Sequence, residues 1–166
     1  MGATLMDATG LHRTVIRLSH EIGERNKGYS NIVLVGVKKN GEIVANRIQS
    51  YVRATEGFTL PCAKLEPNAE KNDLGFSIDG KTVVLCDDVL HTGKSTVKSV
   101  EALFRLGEPR KIQLLVLVDR GGRELPVRAD FVGKNVPTSR DEYIEVSFEE
   151  LGSVDCFSVT RRKNEA

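Results

Sequence analysis

Three short stretches of the chain are apolar almost without interruption: IVLVGV at Ile32–Val37, VVLC at Val83–Cys86 and IQLLVLV at Ile112–Val118. A strand with one wet face alternates polar and apolar residues, so unbroken apolar runs predict strands covered on both faces, as in a parallel sheet. Helical spacing separates them. Leu11, Val15, Leu18 and Ile22 precede the first run, and Val97, Val100, Leu103, Phe104 and Leu106 lie between the second and third, with Gly107 as the stop signal. Ile43, Val44, Ile48 and Val52 predict another helix after Gly41. Strands alternating with helices predict an α/β domain built on a mostly parallel sheet.

The remaining segments break this pattern. Pro61–Asp79 carries Pro67, Asn68, Asn72, Asp73 and Gly75 among its charges and reads as a mobile loop. Beyond Gly121 the pattern is irregular until two short strands near Tyr143–Phe148 and Asp155–Val159, and the terminal RRKNEA reads as a frayed tail. There is no internal repeat or low-complexity tract. The 166 residues are expected to form one domain, 1–166.

Composition narrows the class without selecting a function. The chain is 40% hydrophobic and 28% charged with a formal net charge of +1, so nothing in its overall balance demands nucleic acid or a membrane. Cys62, Cys86 and Cys156 are widely spaced and form no CxxC pair, which predicts small buried thiols rather than a disulfide framework or zinc site. No run reaches the roughly 18 apolar residues of a membrane span, and MGATLMDATG lacks a signal-peptide pattern, so a cytoplasmic location is expected.

The chemistry concentrates in VVLCDDVLHTGKST, Val83–Thr96: a buried strand, its carboxyl edge, a tight turn and the start of a helix. In open α/β sheets ligands bind outside the carboxyl ends of strands, and a helix N-terminus there favours an anion. Gly93 lets the backbone come close, Thr92, Ser95 and Thr96 add hydroxyls, and Lys94 adds charge, so a phosphate fits the turn. Asp87 and Asp88 would repel a phosphate. They suit sugar hydroxyls or, through water, Mg²⁺. Phosphate beside diol describes a ribose phosphate. Gly93-Lys94-Ser95 has the GKS of a nucleotide-triphosphate loop, but the glycine that motif needs five positions earlier is Asp88. The plainer alternative is that the aspartates cap the helix and Thr-Gly is a simple turn.

VVLCDDVLHTGKST resembles the 5-phosphoribosyl-1-pyrophosphate (PRPP) signature of the type I phosphoribosyltransferases. LSHEIGERNKG (Leu18–Gly28), VLVGVKKNG (Val33–Gly41) and LVDRGGRELPVRADFVGKNVPTS (Leu117–Ser139) are similar more narrowly to the pyrimidine-operon attenuation regulators, which are also uracil phosphoribosyltransferases. The resemblance covers most of the chain. It implies a central, mostly parallel sheet flanked by helices, with a small hood, formed mainly by about residues 121–166, over the base. It also implies that Thr92, Gly93, Lys94, Ser95 and Thr96 hold the 5-phosphate, and that Asp87 and Asp88 face the ribose hydroxyls and Mg²⁺; His91, on the same loop, reads equally as a ligand neighbour or as a satisfied turn histidine. By the same resemblance Lys38, Lys39, Asn40 and Gly41 sit beside the pyrophosphate, Pro61–Ser77 spans the catalytic loop, and Val118, Asp119, Arg120, Lys134 and Asn135 border the base. A homodimer or higher homo-oligomer is implied as well.

Two functions follow from the resemblance. One is transfer of ribose 5-phosphate from PRPP, with Mg²⁺, to a pyrimidine, uracil first, giving a nucleoside monophosphate and pyrophosphate. The other is a nucleotide-sensing, RNA-binding attenuation regulator with little or no catalysis. The departures from the family pattern bear on this choice. The pyrophosphate loop reads Lys38-Lys39-Asn40-Gly41 where those regulators carry an arginine before the glycine, Leu60–Leu65 replaces a segment bearing a tyrosine, an arginine and two aspartates, and Gly122 stands where a histidine follows DRG. Arg13, Arg17 and His20 form a basic stripe on the first helix, which the family resemblance assigns to messenger RNA and which Glu21 and Glu24 would equally make an ordinary solvated face.

Overall fold

The computed structural model describes residues 3–153 and 155–161; the tail read from RRKNEA lies, from residue 162 on, outside the described residues. The elements run β1 (Ala3–Met6), α1 (Ala8–Arg25), β2 (Ile32–Val37), α2 (Lys38–Glu56), β3 (Cys62–Leu65), β4 (Thr82–Leu90), α3 (Lys94–Leu106), β5 (Lys111–Asp119), β6 (Phe131–Asn135), β7 (Glu142–Ser147) and β8 (Cys156–Arg161). Five strands form a parallel sheet in the order β3-β2-β4-β5-β6. The three apolar runs are its three central strands.

Their unbroken hydrophobicity has a direct cause. Successive strand residues face opposite sides of the sheet. Leu34, Val84, Cys86, Leu115 and Leu117 join Leu18, Ile22, Val44 and Ile48 of α1 and α2 in one core. Val33, Val35, Val83, Leu85 and Val116 join Ala102 and Leu103 of α3 in the other. Burying each such Leu, Ile or Val side chain contributes roughly 1.5–3 kcal/mol, so both faces drive folding.

Three expectations change. The helix expected after Gly41 begins at Lys38, directly after β2. Val37 and Lys38 make the turn between them, Lys38 with a left-handed φ of 55°. Gly36 and Gly41 permit it: a Cβ at Gly36 would stand 2.4 Å from the Glu42 backbone, and one at Gly41 2.4 Å from the Cys86 carbonyl oxygen. The loop expected over Pro61–Asp79 opens with β3, an edge strand parallel to β2, which begins where Leu34 N–H donates to the Pro61 carbonyl at 2.8 Å. Further along, Leu74 and Ile78 anchor that segment in the second core. Finally, the strands beyond Gly121 belong to two sheets. β6 joins the main sheet, whereas β7 and β8 form a second, antiparallel sheet with β1 in the order β1-β8-β7.

That second sheet is fixed to α2 by charge. The Arg47 guanidinium donates to both carboxylate oxygens of Glu150 (2.6 and 3.0 Å) and of Asp155 (both 2.8 Å) and lies 5.1 Å over the Phe148 ring. Phe148 is fully buried in the first core. No helix among the described residues is long and apolar enough to cross a membrane.

Candidate active site

The chain leaves β2 toward β3 on one side and reaches β4, β5 and β6 on the other, so strand order reverses between β2 and β4. The crevice at the carboxyl end of such a reversal is where open α/β sheets bind ligands. Here a cleft of about 450 Å³ is lined by Val37, Lys38, Lys39 and Asn40 from the β2–α2 turn, Asp87, Asp88 and Val89 from the end of β4, and Ser95 from α3. Two carboxylates and two lysines thus meet in one opening.

The carboxylates differ in their surroundings. Asp87 Oδ1 accepts the Asp88 backbone N–H at 2.8 Å. Burial, followed by the charge of Asp88, pushes the Asp87 carboxyl well above the ordinary range, with Lys38 acting in the opposite sense. Asp88 is held at both oxygens: Oδ1 accepts the Val89 N–H at 2.8 Å and Oδ2 accepts Asn40 Nδ2 at 2.9 Å. No third His, Cys, Asp or Glu completes a metal cage with them among the described residues. The donor set therefore suits an ion that brings most of its own ligands, as Mg²⁺ does with phosphates and water.

The turn from β4 to α3 is shaped for an anion. Gly93 is left-handed (φ 93°), Thr96 is buried, and Gly93, the N-cap, offers no side chain to the first N–H groups of α3, which lack partners within the helix. Lys94 N–H donates to Thr92 Oγ1 at 3.3 Å, while Lys94 Nζ reaches Glu124 at 3.0 Å. The turn is braced against the segment after β5. Thr92 O accepts the N–H groups of Glu124 and Leu125, and Arg123 bonds the carbonyls of His91 and Val127. His91 Nδ1 lies 2.9 Å from the Gly121 carbonyl, its ring filling the space that a Cβ on Gly122 would take.

The base-bordering residues proposed from sequence lie one and two strands over. Register pairs Val118 with Lys134 and Asp119 with Asn135, so these four share the same edge. Burial raises the Asp119 carboxyl, but the Arg123 hydrogen bond and charge and the Gly121 N–H outweigh it and hold it below the ordinary range. Arg120 is buried, with its guanidinium engaging Thr138 Oγ1 and the carbonyls of Ser139 and Glu142, and so ties down the segment leading to β7. Lys134 Nζ approaches the Leu5 carbonyl of β1 at 3.3 Å. Sequence reasoning missed Arg123, which spacing could have flagged, since Asp119 and Arg123 are four apart in DRGGR. It missed the Asn40 contact with Asp88, for which one chain offers no signal.

A roomier hollow of about 580 Å³ beside Arg47, His12 and Tyr51 has a mixed polar and apolar lining, and its one arginine is engaged by Glu150 and Asp155. An apolar hollow of about 440 Å³ flanks α3 around Val97, Val100 and the exposed Phe104. Neither adjoins the strand-end carboxylates.

Fold and cleft together define a phosphoribosyltransferase. The family of the phosphoribosyl transferase domain matches residues 3–150. Solved structures share the architecture at low identity: the hypoxanthine phosphoribosyltransferase of Trypanosoma cruzi (TM-score 0.77, 17% identity, 96% of this chain and 97% of that one) and the HGPRT-ase of Leishmania tarentolae (TM-score 0.79, 16%, 98% and 99%). Sequence relatives are nearer. The bifunctional protein PyrR of Clostridioides difficile (strain 630) is 45% identical over 95% of this chain and 97% of its own, and that of Enterococcus faecalis (strain ATCC 700802 / V583) 43% over 95% and 96%. The chain belongs to the bifunctional PyrR family of phosphoribosyltransferases.

Proposed function

We propose that the protein transfers the 5-phosphoribosyl group of PRPP to uracil, giving a nucleoside monophosphate and pyrophosphate. The observation that carries this reading is the meeting of Asp87 and Asp88 with Lys38, Lys39 and Ser95 in one cleft at the strand-order reversal. The 5-phosphate sits in the Thr92–Thr96 turn, where N–H groups and the helix dipole receive it. Asp88, held at both oxygens, accepts the ribose hydroxyls, and Lys38 and Lys39 face the pyrophosphate. Val118, Asp119, Lys134 and Asn135 border the base.

In the reaction the C1–O bond to pyrophosphate breaks as a ring nitrogen of the base forms its bond to C1. Pyrophosphate leaves with the electron pair, and the ring N–H proton passes to solvent. Positive charge grows at the sugar in such a glycosyl transfer, so the chain's contribution is alignment of base, C1 and leaving group together with a fixed carboxylate field beneath the ring. Asp87 and Asp88 are the residues that would hold Mg²⁺, which when bound would supply charge stabilisation of the leaving pyrophosphate.

A second activity, binding of RNA to attenuate pyrimidine genes, is supported by the bifunctional relatives. The basic stripe on α1 offers Arg13 for it, while Arg17 is engaged by Glu21 and the carbonyls of Val132 and Gly133, and His20 meets Tyr51 at 2.9 Å. The deciding experiment is pyrophosphate release from PRPP across a panel of bases, run beside filter binding of pyrimidine-operon leader RNA. Release with uracil alone is expected. Tight RNA binding without release from any base would leave only the regulator.

A further inference from the structure

We propose that Asn40 is a positioning residue for the ribose, acting through Asp88, rather than a contact for pyrophosphate. This rests on the reading that the cleft takes ribose phosphates. Asn40 sits in the first turn of α2, level with the two lysines. Its amide nitrogen, however, is directed across the cleft to Asp88 Oδ2 at 2.9 Å. The other oxygen of the same carboxylate takes the Val89 N–H at 2.8 Å.

A carboxylate oxygen offers roughly two acceptor sites. One donor on each oxygen therefore fixes the plane of the Asp88 carboxylate and leaves one acceptor site free on each. Two parallel acceptors on a rigid group match the adjacent 2′ and 3′ hydroxyls of a ribose. Asp87 is held by a donor on one oxygen only, the Asp88 N–H on Oδ1, so its carboxylate plane is not fixed in the same way. The amide of Asn40 carries no charge, so it orients Asp88 without neutralising it, which an arginine at the same place would do. One of its two amide N–H groups is engaged by Asp88, and the cations in the cleft that can meet a pyrophosphate are Lys38 and Lys39.

The contact belongs to the part of the ligand that PRPP and the product share. Calorimetric titration of the full chain with ribose 5-phosphate, uridine monophosphate, PRPP with Mg²⁺ and pyrophosphate separates the two roles. Asn40→Leu, close in size but without a donor, is expected to weaken the first three by a common factor on the order of tenfold, the worth of one charge-assisted hydrogen bond, and to leave pyrophosphate unchanged. The 2′,3′-dideoxy form of uridine monophosphate, lacking both hydroxyls, should bind wild type and Asn40→Leu alike. Asn40→Gln, which restores an amide donor, should recover part of the loss. In turnover, KM for PRPP should rise while kcat stays within about twofold.

Loss of PRPP and pyrophosphate affinity with the monophosphates unaffected makes Asn40 a pyrophosphate contact and overturns the proposal. Equal weakening of the dideoxy ligand does the same, because it assigns Asn40 to general architecture. If wild type binds none of the ribose phosphates, the cleft assignment itself fails and this inference falls with it.

Discussion

At the carboxyl edge of the sheet, β4 reaches α3 through the arch His91-Thr92-Gly93, whereas β2 passes into α2 with no intervening loop. The arch is open, carries hydroxyls and a left-handed glycine, and leaves room for an anion beneath a helix N-terminus. The direct turn is closed: α2 presses on β4 so tightly that Gly41 meets the Cys86 carbonyl, and the non-glycine Lys38 takes the left-handed conformation. One junction makes a space. The other delivers side chains into it, namely Lys38, Lys39 and Asn40 facing Asp87 and Asp88.

The sharpest break of this contrast comes from adding one methyl group to each junction. In Gly41→Ala the new Cβ meets backbone that has no freedom to yield, and a loss of roughly 3 kcal/mol is expected, at the upper end for overpacking. At Gly93 the Cβ would stand 2.9 Å from Val127 Cγ2, the end of a side chain, and the positive φ adds about 1–2 kcal/mol of strain. Calorimetric melting should therefore fall further for Gly41→Ala, while phosphate affinity should fall further for Gly93→Ala. The reverse ranking would mean that the arch, not the direct turn, is the packed junction.

The two junctions also differ in how far sequence alone exposes them. Asp87, Asp88 and the Thr92–Thr96 turn are adjacent in the chain, and their order of apolar run, carboxylates, Thr-Gly and hydroxyls states the chemistry locally. The central strands are equally legible, since burial on both faces leaves an unbroken apolar run. The direct turn is not. Nothing in VGVKKNG marks Lys38 as left-handed, and glycine, the usual sign, stands at Gly36 and Gly41 for close approach to neighbouring backbone. The Asn40 contact with Asp88 spans 48 residues, and β1 is four residues whose partner β8 lies at the other end of the described chain. Pairing at that separation depends on the assembled sheet, which local pattern does not encode.

Because α2 starts in the closed junction and carries Arg47, it also holds the second sheet, and this link can be cut separately. Arg47→Leu leaves Asp155 and Glu150 without their shared guanidinium; with Asp155 mostly buried and Glu150 nearly half exposed, a loss of about 2 kcal/mol is expected. The hydrogen bond from Arg47 holds both carboxyls below their ordinary values of 4.5 for Glu150 and 3.8 for Asp155. A carboxyl depressed in the folded state contributes stability that is complete above its unfolded value and is lost as pH falls through the folded one. The gap in stability between wild type and Arg47→Leu should thus be constant near neutrality and close in acid, below about pH 4. Denaturant melts at several pH values check this, and a gap that persists at pH 2 would assign Arg47 a packing role over Phe148 instead.

The smallest effect tests the strain in the direct turn itself. A non-glycine residue in the left-handed region costs about 1 kcal/mol or more, and Lys38 bears that cost at the point where β2 becomes α2. Lys38→Gly removes the strain but also removes an ammonium beside Asp87, and the two effects oppose each other. Lys38→Ala removes the same ammonium and keeps a Cβ in the strained conformation, so the difference between the variants isolates the backbone. Lys38→Gly should melt above Lys38→Ala by roughly 1–3 °C, because relief of about 1–2 kcal/mol of strain is offset in part by the roughly 0.5–1 kcal/mol of extra freedom of unfolded glycine. Both variants should lose pyrophosphate affinity equally, because both lack the cation. Lys38→Gly melting at or below Lys38→Ala would mean that the turn is unstrained, and the closed junction would then owe its shape to Gly36 and Gly41 alone.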